Sequence, residues 1–209
     1  MEILPEANTN LSMPVVPQTR TITMARWVSN IFCPPVLATA GVFLVASYLA
    51  STAAWLWGGF IVLSSILTPI GFILLQLKKG KVSDFEIYHR EQRKGTYIFT
   101  MVCGVVSVIV MWLFTAPVLI MVLGLSAVLQ VVIMFFINTH WKISAHAASM
   151  AVFITLLLLL FGRIMLPTTV GIPLMVWSRV RLHRHTFFQT LAGSLLGISI
   201  LTICYLAIQ

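Results

Sequence analysis

Apolar segments dominate this 209-residue chain, at about 34–51, 54–77, 96–115, 118–137, 144–161, 164–177 and 186–208, with only short polar loops between them. A run of about 20 apolar residues matches the hydrocarbon core of a bilayer. Inside that core every backbone N–H and C=O must be satisfied within the protein, which leaves helices or a closed barrel. The runs are continuously apolar and do not alternate, so they predict helices. The expected fold is all-α, a polytopic transmembrane helical bundle of six to seven spans. The sixth segment is the shortest and carries Pro167 and Pro173. The first two segments are joined so tightly that they predict a helical hairpin, and Pro69, beside Gly71, predicts a kink in the second. Residues 1–29 are polar and hold Pro5, Pro14 and Pro17, so they read as a flexible or surface-lying segment ahead of one membrane domain over 30–209. They lack the basic region, apolar core and cleavage site of a secretory signal.

Charged residues make up only 9% of the chain, against about 25% in soluble domains. Their balance is uneven, 13 Lys+Arg against 5 Asp+Glu for a formal net charge of +8. If all seven segments cross, the N-terminus and the loops after the second, fourth and sixth share one side, and they carry every basic residue except Arg163. The positive-inside tendency then places these loops in the cytoplasm and the C-terminus outside. A bacterial inner membrane is the expected location. An anionic ligand would produce the same bias. Nucleic acid is disfavoured as a partner, because the basic residues sit in short inter-helix loops and form no extended face. Cys33, Cys103 and Cys204 lie in apolar surroundings without Cys-x-x-Cys spacing and read as packing residues.

The three same-side loops hold the candidate chemistry. In the first, over 78–94, Arg90 and Arg93 are three apart and share a helical face, as an oxyanion clamp requires. The same run also suits a solvated juxtamembrane helix in which Glu86, Arg90 and Glu91 make surface pairs. The second loop offers Lys142, Ser144 and His146. Ser144 suits the N-cap of the fifth segment, whose positive end and free N–H groups would attract an anion. His146 then sits in the first helical turn, placed either to move a proton or to serve packing. The third loop, over 177–189, brings Arg179, Arg181, Arg184, His183 and His185 next to the bilayer, where charge is costly and usually functional. Arg179 suits an oxyanion clamp and His185 a nucleophile or base, whereas Arg181, His183 and Arg184 suit interfacial anchoring.

Ser178-Arg179, five residues, His185, three residues and Gln189 together resemble the third signature of the type-2 phosphatidic acid phosphatase superfamily, S-R-x5-H-x3-D. Lys142-Ile143-Ser144-Ala145-His146 is similar to the second, P-S-G-H, with lysine-isoleucine-serine in place of the proline form and the glycine lost. The first, K-x6-R-P, is matched in part, with Arg93 as its arginine, Lys94 where proline belongs and Glu86 at the lysine position. The resemblance covers about residues 81–197. It implies a phosphatase-like membrane core that works without metal or other cofactor on a phosphorylated lipid, either a lipid phosphate or a prenyl phosphate or diphosphate. His185 would attack phosphorus to give a phosphohistidine, and His146 would protonate the leaving oxygen and then activate water. Arg93, Arg179, Ser144 and the N–H groups near Ala145 would hold the phosphoryl oxygens. Arg90 and Lys142 are further clamp candidates from the charge pattern alone.

Gln189 stands where the family aspartate orients the nucleophile. A glutamine can accept the same hydrogen bond but brings no negative charge, and the equivalent change in a serine protease triad costs about 10⁴ in rate. Thr186 to Gly193 resembles a bacterial sub-branch in which glutamine is usual. The alternative expectation is a catalytically weak or inactive phosphatase-like protein, acting as a lipid-binding component or accessory subunit of a membrane complex or homo-oligomer. Haem ligation fits less well, because the histidines cluster at one interface and not inside facing helices. A transporter fits less well for want of an inverted repeat.

Overall fold

The computed structural model describes residues 19–84, 87 and 92–208, and among these every regular element is helical. Among the described residues nine α-helices follow one another as α1 (Arg20–Ile31), α2 (Pro34–Leu49), α3 (Thr52–Ile61), α4 (Thr68–Lys78), α5 (Arg93–Leu113), α6 (Val118–His140), α7 (Ala145–Phe161), α8 (Gly171–Arg181) and α9 (Phe187–Leu206). A π-helical stretch, Val62–Leu67, joins α3 to α4, and a 3-10 stretch, Gly162–Val170, joins α7 to α8. Among the described residues five helical runs are long and apolar enough to cross a membrane, or six if the bent pair α1 and α2 forms one span. The chain is an integral membrane protein of the helical-bundle class.

Six such runs fall within the six to seven spans expected, and Ala145–Arg181 passes the test of length and hydropathy as a single run. That run nevertheless folds back on itself. Gly162 has φ +67°, a conformation open to glycine, and the chain reverses there. Gly171 then lies against Ile154 and Met150, and Met175 packs with Ala147, Met150 and Ile154. Helix α8 therefore returns antiparallel along α7, and its C-terminal end meets the N-terminal end of α7.

Where a kink was expected, at Pro69, a π-helical stretch precedes the proline. Proline removes one N–H and crowds the carbonyl one turn earlier. The π-helical turn just before it widens the ladder, and the Thr68 hydroxyl donates to Leu63 O at 2.8 Å. The hairpin of α2 and α3 is present and tight, with Ala50 left-handed at φ 48° and Ser51 capping α3 through the Ala54 amide at 3.2 Å.

The segment over 1–29 needs correction, because its last third is a packed helix. Thr19 caps α1 by accepting the Ile22 amide at 3.4 Å. Ile22, Ala25 and Ser29 share one face, are buried, and sit against α8, where Ser178 donates to Ala25 O at 2.7 Å. Met24, Trp27 and Ile31 are exposed. Among the described residues the packed helices therefore start with α1, ahead of residue 30.

Helices α7 and α9 make the closest pair in the bundle. A Cβ on Gly193 would stand 2.5 Å from Ser144 O, and one on Gly197 would collide with Ala148 O. Small residues four apart let the two backbones touch, as they do in membrane helix pairs generally. The contact fixes the first turn of α9 against the first turn of α7.

Candidate active site

Ser144 caps α7, its Oγ accepting the Ala147 amide at 3.3 Å, and it is fully buried. Its own N–H donates to Gln189 O at 3.3 Å, which ties the start of α7 to the first turn of α9. His146, in the first turn of α7, is 8% exposed. At the end of α8 the chain turns sharply through His183, at φ 53°, so that the amides of Arg184 and His185 both donate to Arg179 O, at 3.1 and 3.4 Å. This turn brings His185 beside Arg179. Arg179 is 2% exposed, and its guanidinium donates to Ser29 Oγ of α1 at 2.5 Å. Arg93 opens α5, and its Nε donates to Ile87 O at 2.8 Å.

These elements bring His185, His146, Arg179 and Arg93 onto one cavity of about 600 Å³ between the helix ends. Ala145, at the positive end of α7, lines the same cavity. Lys142 stands close enough to these cations for its ammonium to feel Arg93, Arg184 and Arg179. Arg90 and Glu86 lie outside the described residues. Arg184 pairs with Asp84 at 3.7 Å, which straps the first loop to the third.

Gln189 does not meet His185. Its Oε1 accepts the Thr186 amide at 3.0 Å while Thr186 Oγ1 accepts the Gln189 amide at 3.3 Å, a reciprocal cap on α9. The orienting role expected for it is thus replaced by a structural one, because a glutamine at the third helical position reaches its own cap more readily than a ring outside the helix. His185 Nδ1 is buried and has no hydrogen-bond partner among the described residues. Gln189→Ala is expected to lower stability by about 0.5–2 kcal/mol, read by thermal unfolding, and to leave orthovanadate affinity within about twofold. A large loss of affinity with unchanged stability would restore the orienting role.

Burial and then the neighbouring cations Arg179, Lys142 and Arg93, with His146, hold the His185 pKa far below the ordinary histidine value. The ring is therefore neutral, with a lone pair available, across the physiological range. Burial first and then Arg93, Arg184 and Arg179 bring the Lys142 ammonium down to about 8, with Asp84 opposing them. An anion held here would stabilise the charged ammonium. Below pH 8 Lys142 is already protonated; above it, binding must recruit a proton, so affinity must fall. Orthovanadate should bind up to about tenfold more weakly at pH 9 than at pH 7.5, and Lys142→Met should flatten that slope in a calorimetric titration. An unchanged slope would remove Lys142 from the site.

The sequence reading missed Ser29, which anchors Arg179, and the cavity-lining Asn30 and Cys33. The spacing of Ile22, Ala25 and Ser29 after a threonine cap was the available signal for α1. Among the described residues no group of three His, Cys, Asp or Glu side chains is arranged to hold a metal ion. No protein-family model matches the chain, and neither does a curated protein or a solved structure.

Proposed function

We propose that the protein is a membrane phosphatase acting on a lipid phosphate or prenyl phosphate or diphosphate, through a phosphohistidine on His185. The observation that carries this reading is the convergence of two buried histidines and two arginines on one cavity at the ends of membrane helices. The resemblance of the three loops to phosphatase signatures supports it from the sequence side.

The neutral His185 ring attacks phosphorus as the bond from phosphorus to the lipid oxygen breaks, and His146 gives that oxygen its proton. His146 then takes a proton from water, whose oxygen attacks the phosphohistidine and releases inorganic phosphate and free His185. Each cycle converts a phosphate monoester and water into an alcohol and phosphate; with a diphosphate the bond broken is the P–O–P bridge, and the products are the lipid monophosphate and phosphate. Arg179 and Arg93, with Lys142 and the end of α7, hold the oxygens on which charge develops. The positive-inside tendency places this site on the cytoplasmic face.

Purified protein in detergent or nanodiscs is expected to release phosphate from lipid phosphates in the presence of a chelator. Absence of turnover across a panel of lipid and prenyl phosphates, with binding retained, would favour a second reading. In that reading the cavity binds a phosphorylated lipid without cleaving it, and the protein serves a larger membrane assembly. The observation behind it is His185 Nδ1, which has no hydrogen-bond partner among the described residues.

A further inference from the structure

The cavity is larger than a phosphate requires. At about 600 Å³ it falls among pockets that enclose whole drug-sized ligands, roughly 300–1,000 Å³. It also continues inward. A second chamber of about 160 Å³ shares Ser65, Thr100, Gln130 and Ser149 with the first and is otherwise walled by apolar side chains such as Leu37, Leu123 and Leu156. A charged mouth that leads into an apolar interior suits an amphiphile drawn into the bundle and not left in the lipid.

One side chain in this interior is out of character. Gln130 sits within the apolar helix α6, lines both chambers, and its Oε1 is buried with no hydrogen-bond partner among the described residues. An amide carbonyl left unpaired in such surroundings is costly, and polar groups at membrane depth usually mark a ligand path. Its depth follows from the packing. Met134 packs with Ala148, Gln130 lies one turn deeper on α6, and His146 lies two residues nearer the mouth on α7. At 1.5 Å per residue, Gln130 is roughly 9 Å beneath His146.

We propose that the inner chamber holds the ligand's chain and that the Gln130 amide turns its buried Oε1 into the chamber to accept a hydrogen bond from a hydroxyl on that chain, roughly seven or eight bonds from phosphorus at about 1.2 Å per bond. The protein thereby selects hydroxylated-chain lipid phosphates over plain ones. The proposal rests on the phosphate-site reading above, but only on its binding half.

The test is competition for the protein in nanodiscs between hexadecyl phosphate and the same lipid with a hydroxyl on its sixth carbon. The wild-type protein should bind the hydroxylated lipid about tenfold more tightly, since a buried acceptor left unpaired penalises the plain chain. Gln130→Leu and, as a second apolar replacement, Gln130→Met should bring the ratio between the two lipids close to one. A ratio near one in the wild type, an unchanged ratio in both variants, or failure to bind either lipid would overturn the proposal. Binding with the expected ratio but without phosphate release would overturn the hydrolase reading alone.

Discussion

His185→Ala should abolish phosphate release, with a loss on the order of 10⁴ or more, while orthovanadate still binds within about tenfold. The asymmetry follows from the division of labour in the cavity. In the proposed mechanism Arg179, Arg93 and Lys142 supply the attraction for the anion, whereas His185 supplies the lone pair that enters phosphorus. Burial and the surrounding cations keep that ring neutral, so its protonation should not limit the rate at any pH above about 5. An acid limb seen at higher pH would belong to another group. His146→Ala should separate the second role. A substrate with a good leaving group, such as p-nitrophenyl phosphate, needs no proton in the first step, so its phosphoenzyme should still form while lipid phosphates stall. Trapping the phosphoenzyme with labelled substrate reads this directly. Full activity in the His185 variant would end the nucleophile assignment whatever the fate of His146.

How much of this was legible in the sequence depended on whether the deciding interactions are local. Ser144 as a cap follows from short spacing and is present. The tight hairpin of α2 and α3 was equally local. The break between the fifth and sixth segments, at 161–164, was legible in the apolar pattern, and Gly162 at φ +67° is where the chain reverses. Helix α1 was hidden because its neighbours upstream are polar and rich in proline, while its buried face is set by α8, about 150 residues later in the chain. Gln189 was misread for a related reason. Its position after His185 suggested a partner for the ring, but the reciprocal cap with Thr186 competes for the same carbonyl and is nearer. Gln130 was visible as a polar residue in an apolar run, yet its meaning needed the cavity that α2, α5, α6 and α7 enclose around it.

Arg179→Ala should weaken orthovanadate binding by about 100-fold and destabilise the protein as well. Two or three charge-assisted hydrogen bonds to an anion are worth roughly 1.5–3 kcal/mol each, so removing the guanidinium carries that scale of loss. The second effect has a separate origin. The same guanidinium donates to Ser29, and α1 packs on α8 through that contact and the bond from Ser178 to Ala25 O. Ser29→Ala removes the anchor and leaves the charge, so it should cost about 1 kcal/mol in stability and only a few-fold in affinity. Arg179→Lys restores charge without the planar fork that can serve Ser29 and an anion together, and it should fall between the two. If the alanine variant is too unstable to assay, the lysine variant still decides the matter. Affinity equal to the wild type in Arg179→Lys, together with a loss of stability, would make Arg179 a strut for α1 and leave the anion to Arg93 and Lys142.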